Sequence, residues 1–142
     1  MDILTREQLL AKEELKRERV DFEDGKGSVF VRMMTGRERD RFEQSLMREE
    51  TDKKGRVTYK RALEDFRAKL AVNTVCDETG KNIFQPQDYD ELSQNMGAAR
   101  LKQIADAAGR LNKITEEEGE DLVKNSESGQ NESDTSESGA AM

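Results

Sequence analysis

The chain contains no histidine and no tryptophan, and only one cysteine and one proline in 142 residues. Aromatics make up 5% of it. Each shortage excludes something. Without His and with a single Cys, a zinc site of the Cys/His kind cannot be built. A nucleophile dyad or triad that relies on imidazole is equally excluded. A lone Cys forms no internal disulfide, so no disulfide framework holds the fold and a reducing compartment is expected. No apolar run approaches the ~20 residues of a membrane helix. The N-terminal residues 1–20 are charged and helical in character, without the apolar centre of a signal peptide. Strong core formers are also scarce: 11 Leu, 4 Ile, 7 Val and 5 Phe make 27 of 142, or 19%.

Charge is abundant instead. Asp, Glu, Lys and Arg account for 39% of residues, with a formal net charge of -7, which argues against general nucleic-acid binding. The shortage of core formers is uneven. Residues 125–142, NSESGQNESDTSESGAAM, hold four acids, no base and no Leu, Ile, Val or aromatic. Such a stretch buries too little surface to offset its ordering entropy, so disorder is expected there. Residues 1–124 then form one folded domain.

That domain reads as mainly α: five or six helices with one β-hairpin near the N-terminus, followed by the disordered acidic tail. Thr5 with Gln8 is a capping-box pattern, opening a helix with Leu9, Leu10 and Leu15 to about Arg17. Val20 and Phe22, the turn Asp24-Gly25-Lys26-Gly27, and Val29, Val31 and Met33 predict a hairpin. Thr35 with Glu38 caps a helix carrying Phe42, Leu46 and Met47 to about Glu50. Residues 51–58 read as a polar, basic loop. Leu63, Phe66, Leu70 and Thr74 fall at helical spacing over residues 59–75. Residues 77–82 form a turn, Ile83-Phe84 is extended, and Pro86 suits the first turn of the next helix. A further helix holds Leu101, Ile104, Ala105, Ala108 and Leu111. Thr115 with Glu118 is a third capping box for a short acidic helix ending near Val123.

No catalytic constellation emerges. Gly25-Lys26-Gly27 lacks the third Gly and following helix of a phosphate loop and reads as a hairpin turn. The loop at 77–82 has its Gly in the wrong place for calcium. Asp88, Asp90 and Glu91 occupy the first turn of a helix, where acids offset the helix dipole. Cys76 ends an apolar helix and reads as a buried small residue. Arg37, Arg39, Arg41, Lys53, Lys54, Arg56, Lys60 and Arg61 could face an acidic partner or RNA. Intermixed acids favour a solvated face, and no interleaved aromatics offer base stacking. Met33, Met34 and Met47 offer either core packing or an adaptable surface.

The order of these pieces resembles the tail assembly chaperones of long-tailed bacteriophages. The resemblance lies in LTREQLLAKEELK, VFVRMMTGRERDRFEQSL, RAKLAVNTVCDETGKNIFQPQDYDELSQ, LKQIADAAGRLNKIT and EEEGEDLVKN, spanning about residues 3–125. It implies a protein without enzymatic activity or cofactor, acting in the host cytoplasm and absent from the mature virion. Such a protein binds and solubilises the tape-measure protein and promotes tail-tube polymerisation around it. It further implies a longer form, made by ribosomal frameshifting, that recruits the tail-tube protein, and a tendency to self-associate. The partner-contact candidates are the stripes Phe42, Leu46, Met47 and Leu101, Ile104, Ala108, Leu111; the competing reading places both in the chain's own core. Val29, Val31 and Met33 are the candidates for self-association by strand addition. A slippery run encoding Lys124 and Asn125 would put a frameshift where the fold ends. The rival readings are a virion structural or connector protein of the tail, and a helical adaptor unrelated to phage.

Overall fold

The computed structural model describes residues 1–114. The elements run α1 (Arg6–Leu10), β1 (Arg17–Asp21), β2 (Ser28–Arg32), α2 (Gly36–Ser45), β3 (Met47–Thr51), β4 (Val57–Arg61), α3 (Phe66–Thr74), β5 (Val75–Cys76), a 3-10 turn (Pro86–Asp88), α4 (Tyr89–Asn95) and α5 (Ala98–Asn112). Helix accounts for 43% of the described residues and strand for 19%. The fold is therefore mixed α/β with two small sheets, not mainly α with one hairpin. The third capping box, the acidic helix and the tail lie outside the described residues.

The first hairpin forms where alternation and turn chemistry agree. Asp21 pairs with Ser28 and Arg17 with Arg32 in antiparallel register. The connecting loop uses Gly25 at φ 72° and Gly27 at φ 144°, angles open to glycine at little steric cost. β5 adds to the other side of β2 through Phe30 and Val31, giving the order β1-β2-β5. α3 and α5 pack on one another and the sheet packs against them. Val31, Leu70, Ala71, Val75, Ile104 and Ala108 are almost wholly buried between these layers. Phe42 of α2 meets Phe66 of α3 edge to face, with ring centroids 5.6 Å apart.

The second hairpin overturns the expectation of a helix to Glu50 and a loop to Thr58. α2 stops at Ser45, where the Ser45 hydroxyl donates to the Phe42 carbonyl at 2.6 Å and Lys69 Nζ donates to the Ser45 carbonyl at 2.8 Å. The Leu46 N–H then donates to Glu43 rather than one residue further back, tightening the last turn. Met47 to Thr51 continue as strand, paired with Arg61 to Val57. Asp52 builds the turn by accepting from the backbone N–H groups of Lys54 at 2.9 Å and Arg56 at 2.8 Å. α3 consequently begins at Phe66, not near Tyr59, after Asp65 in the left-handed region at φ 63°.

Both capping boxes that fall within the described residues form, at Thr5 with Gln8 and at Thr35 with Glu38. Their consequences differ. α2 is packed into the core through Phe42, whereas α1 buries nothing. Thr35→Ala should therefore lower global stability by about 1 kcal/mol, and Thr5→Ala should leave the urea midpoint unchanged. Equal shifts in the two denaturation curves would contradict the packing described here.

Candidate partner-binding surfaces

Two elements stand off this core, and each falls short of stability by itself. The first is the N-terminal arm. α1 has only five residues, well below the ~12–15 at which an isolated helix becomes marginal in water. It ends at Leu10, not near Arg17: Leu9 and Leu10 are not buried, and Leu15 is half-buried in the extended chain that follows. Leu9 and Leu10 are 66% and 67% exposed, with Ile3 and Leu4 also exposed beside them. The following chain, Lys12 to Leu15, lines a cleft of about 540 Å³ with Arg17, Arg32 and Thr35. The backbone N–H of Met33 donates to Lys16 at 2.9 Å, tying the arm's end to the sheet.

The second is the β3–β4 hairpin. Its contacts with the rest of the fold run mainly through α2, and a two-stranded hairpin is marginal alone. Met47, Glu49, Thr51, Val57 and Tyr59 share one face by register, and Met47, Val57 and Tyr59 on it are exposed. The other face carries ion pairs: Lys60 with Glu50 at 3.4 Å, and Arg48 with Glu64 at 3.0 Å. Arg56 pairs with Asp52 at the turn, at 2.8 Å. The Arg56 N–H, foremost among the hydrogen bonds it accepts, holds the Asp52 carboxyl below its ordinary value. Lys53 and Lys54 make no ion pair among the described residues.

The residues singled out from sequence are placed as follows. Phe42, Leu46, Leu101, Ile104 and Ala108 lie in the core, the competing reading weighed for both stripes. Leu111 is partly buried against that core, and Met47 is exposed. Val29, Val31 and Met33 belong to the central strand or its end. β2 is bonded on both sides at Phe30 and Val31, so the open edge of this sheet is β1, whose Arg17, Glu18 and Arg19 discourage strand addition. Lys124 and Asn125 lie outside the described residues. The exposed arm and the second hairpin were not singled out. The Asp52-to-Gly55 turn was the available signal for the hairpin. For the arm it was the four apolar residues Ile3, Leu4, Leu9 and Leu10 flanking and ending a short capped segment.

Elsewhere the polar chemistry is structural. Arg32 is buried and paired with Glu38 at 2.7 Å. Its Nη1 donates to the Met33 carbonyl at 2.7 Å. Burial alone would push the Glu38 carboxyl up. The hydrogen bond and charge of Arg32, with the Thr35 N–H, outweigh that and leave it below its ordinary value. Ser93 donates to Asp65 at 2.5 Å, tying α4 to the start of α3. These two line a cleft of about 430 Å³ with Phe66, Met96 and Leu101. A hydroxyl–carboxylate pair without imidazole has no strong base to activate it. Cys76 is buried, and burial, first among its influences, raises its thiol pKa, away from the reactive thiolate. Among the described residues, no group of three or more His, Cys, Asp or Glu is placed to hold a metal. No helix there is long and apolar enough to cross a membrane.

The fold and its surfaces define a small mixed α/β module with two elements displayed outside its core, an apolar arm and a charged hairpin with Met47, Val57 and Tyr59 exposed on one face. No protein-family model matches the chain, and no curated protein matches it significantly. Among solved structures it is similar to the tail assembly chaperone of bacteriophage HK97. The TM-score is 0.46 and the identity 19%, covering 72% of this chain and 90% of that one.

Proposed function

We propose that this chain is a phage tail assembly chaperone. It binds the tape-measure protein, keeps it soluble and promotes tail-tube polymerisation around it, in the host cytoplasm and without remaining in the virion. The observation that carries the reading is the N-terminal arm: a capped helix with Leu9 and Leu10 exposed, Leu4 exposed just before it, and none of its residues buried. A long apolar helical client offers the missing surface. An amphipathic turn docks on such a client by burying its apolar side, and the high charge of the chaperone keeps the complex in solution. The sequence resemblance over residues 3–125 supports the same role. It extends the reading to a longer frameshifted form that recruits the tail-tube protein, and to self-association.

Co-expression tests it. The tape-measure protein should be recovered soluble with this chain and should aggregate without it. Leu9→Asp/Leu10→Asp should abolish that rescue while leaving the melting temperature unchanged, because neither side chain is buried. Rescue that survives the double substitution would remove the arm from the mechanism. A stoichiometric band of this protein in purified virions would replace the chaperone by a structural component.

A further inference from the structure

The distribution of charge leads beyond the arm. The nine acids and one lysine after residue 114 give net -8, which leaves +1 for residues 1–114 of the chain's -7. Within that near-neutral body the β3–β4 hairpin, residues 47–61, carries six bases against three acids, a local +3. The most acidic and the most basic segments of the molecule are therefore the C-terminal segment and a hairpin joined to the described body mainly through α2.

The place where the body ends brings the two within reach. Asn112 accepts from the Met34 N–H at 2.7 Å, and its carbonyl accepts from Arg39 of α2 at 3.0 Å. Ile114 is buried just beyond. The chain thus leaves the body beside α2, the helix that runs directly into β3. From Arg39 to the hairpin turn the path is about 10 Å of helix and about 17 Å of strand. Ten residues of extended chain span about 33 Å. The length of chain beyond Ile114 is therefore sufficient to span the distance to Lys53 and Lys54 at the turn.

We propose that the acidic segment at residues 116–137 docks on the β3–β4 hairpin of the same chain, through Lys53, Lys54 and the bases along its strands. The contact is electrostatic. It brings opposite charges together on a hairpin that is marginal alone. The inference does not depend on which partner the arm binds.

The test uses the full chain, with a spin label at Ser126→Cys and the buried Cys76 left in place. At about 0.1 M salt, where charges are felt over ~10 Å, the amide signals of Lys53, Lys54 and Gly55 should be lost to the label. They should return at about 1 M salt, where that range shrinks to ~3 Å. Lys53→Glu/Lys54→Glu should restore them at low salt without moving the melting temperature. Signals that persist at low salt, or losses indifferent to the charge reversal, would overturn the proposal. Mixing labelled protein with isotope-enriched unlabelled protein decides the source: losses that appear only between molecules would overturn docking within one chain.

Discussion

Replacing Phe42 by Ala is expected to lower the unfolding free energy by about 3–5 kcal/mol. The ring is 1% exposed and stacks edge to face on Phe66. Truncation removes its transfer free energy and leaves a cavity between α2 and α3. Native domains are stable by only about 5–15 kcal/mol, so the change takes a large share of the total. Urea unfolding checks it. The same variant decides what the stripe is for. A core residue loses stability and client rescue together, whereas a contact residue would lose rescue at unchanged stability. The exposed pair Leu9 and Leu10 should show the second pattern.

The other large effect is expected at Glu38. One oxygen accepts from the Thr35 N–H at 2.9 Å and completes the capping box. The other accepts from Arg32 at 2.7 Å and from Asn82 at 3.3 Å. Glu38→Ala leaves the Arg32 guanidinium buried without its counter-charge, at an expected loss of about 3–5 kcal/mol. The lower end is favoured because the Glu38 side chain is 24% exposed. Arg32→Met/Glu38→Leu should be far milder, since no unpaired charge remains. The pair Arg19–Asp21, exposed on both sides and screened by solvent, should contribute little to stability. The pH dependence follows from the direction of the Glu38 shift. Its carboxyl is held below its ordinary value in the folded state. Its contribution is therefore complete above the unfolded carboxyl pKa of ~4.3 and is lost as pH falls through the lower folded value. Glu38→Gln should flatten that acid limb of stability, which denaturation at stepped pH would reveal.

These residues also mark what local sequence discloses. Thr5 and Thr35 were legible as caps because a capping box is closed within three residues. The first hairpin was legible because Asp24-Gly25-Lys26-Gly27 sits between alternating apolar residues. The second was not, although Asp52 and Gly55 supply comparable turn chemistry. Half of the residues in its strands, Met-Arg-Glu-Glu-Thr and Val-Thr-Tyr-Lys-Arg, are charged, and Arg and Glu favour helix by propensity. The last carbonyl of α2 accepts from Lys69, 24 residues away, a contact that no local window contains. The stripes of α2 and α5 were legible as apolar faces. Their spacing alone could not say whether those faces meet each other or a partner. The arm shows the converse, since a sound cap and apolar residues started a helix that the body then gave nothing to pack against.

The lone thiol has a practical consequence. Cys76 lies in β5, the two-residue strand that closes the sheet against β2, and it is buried there. A maleimide can reach it only when β5 parts from its neighbour or the domain unfolds. The rate of modification therefore reads the opening equilibrium of the sheet in the unaltered protein, a stopwatch already installed at its centre. Run with and without a client, it would tell whether binding tightens the body or leaves it as it was.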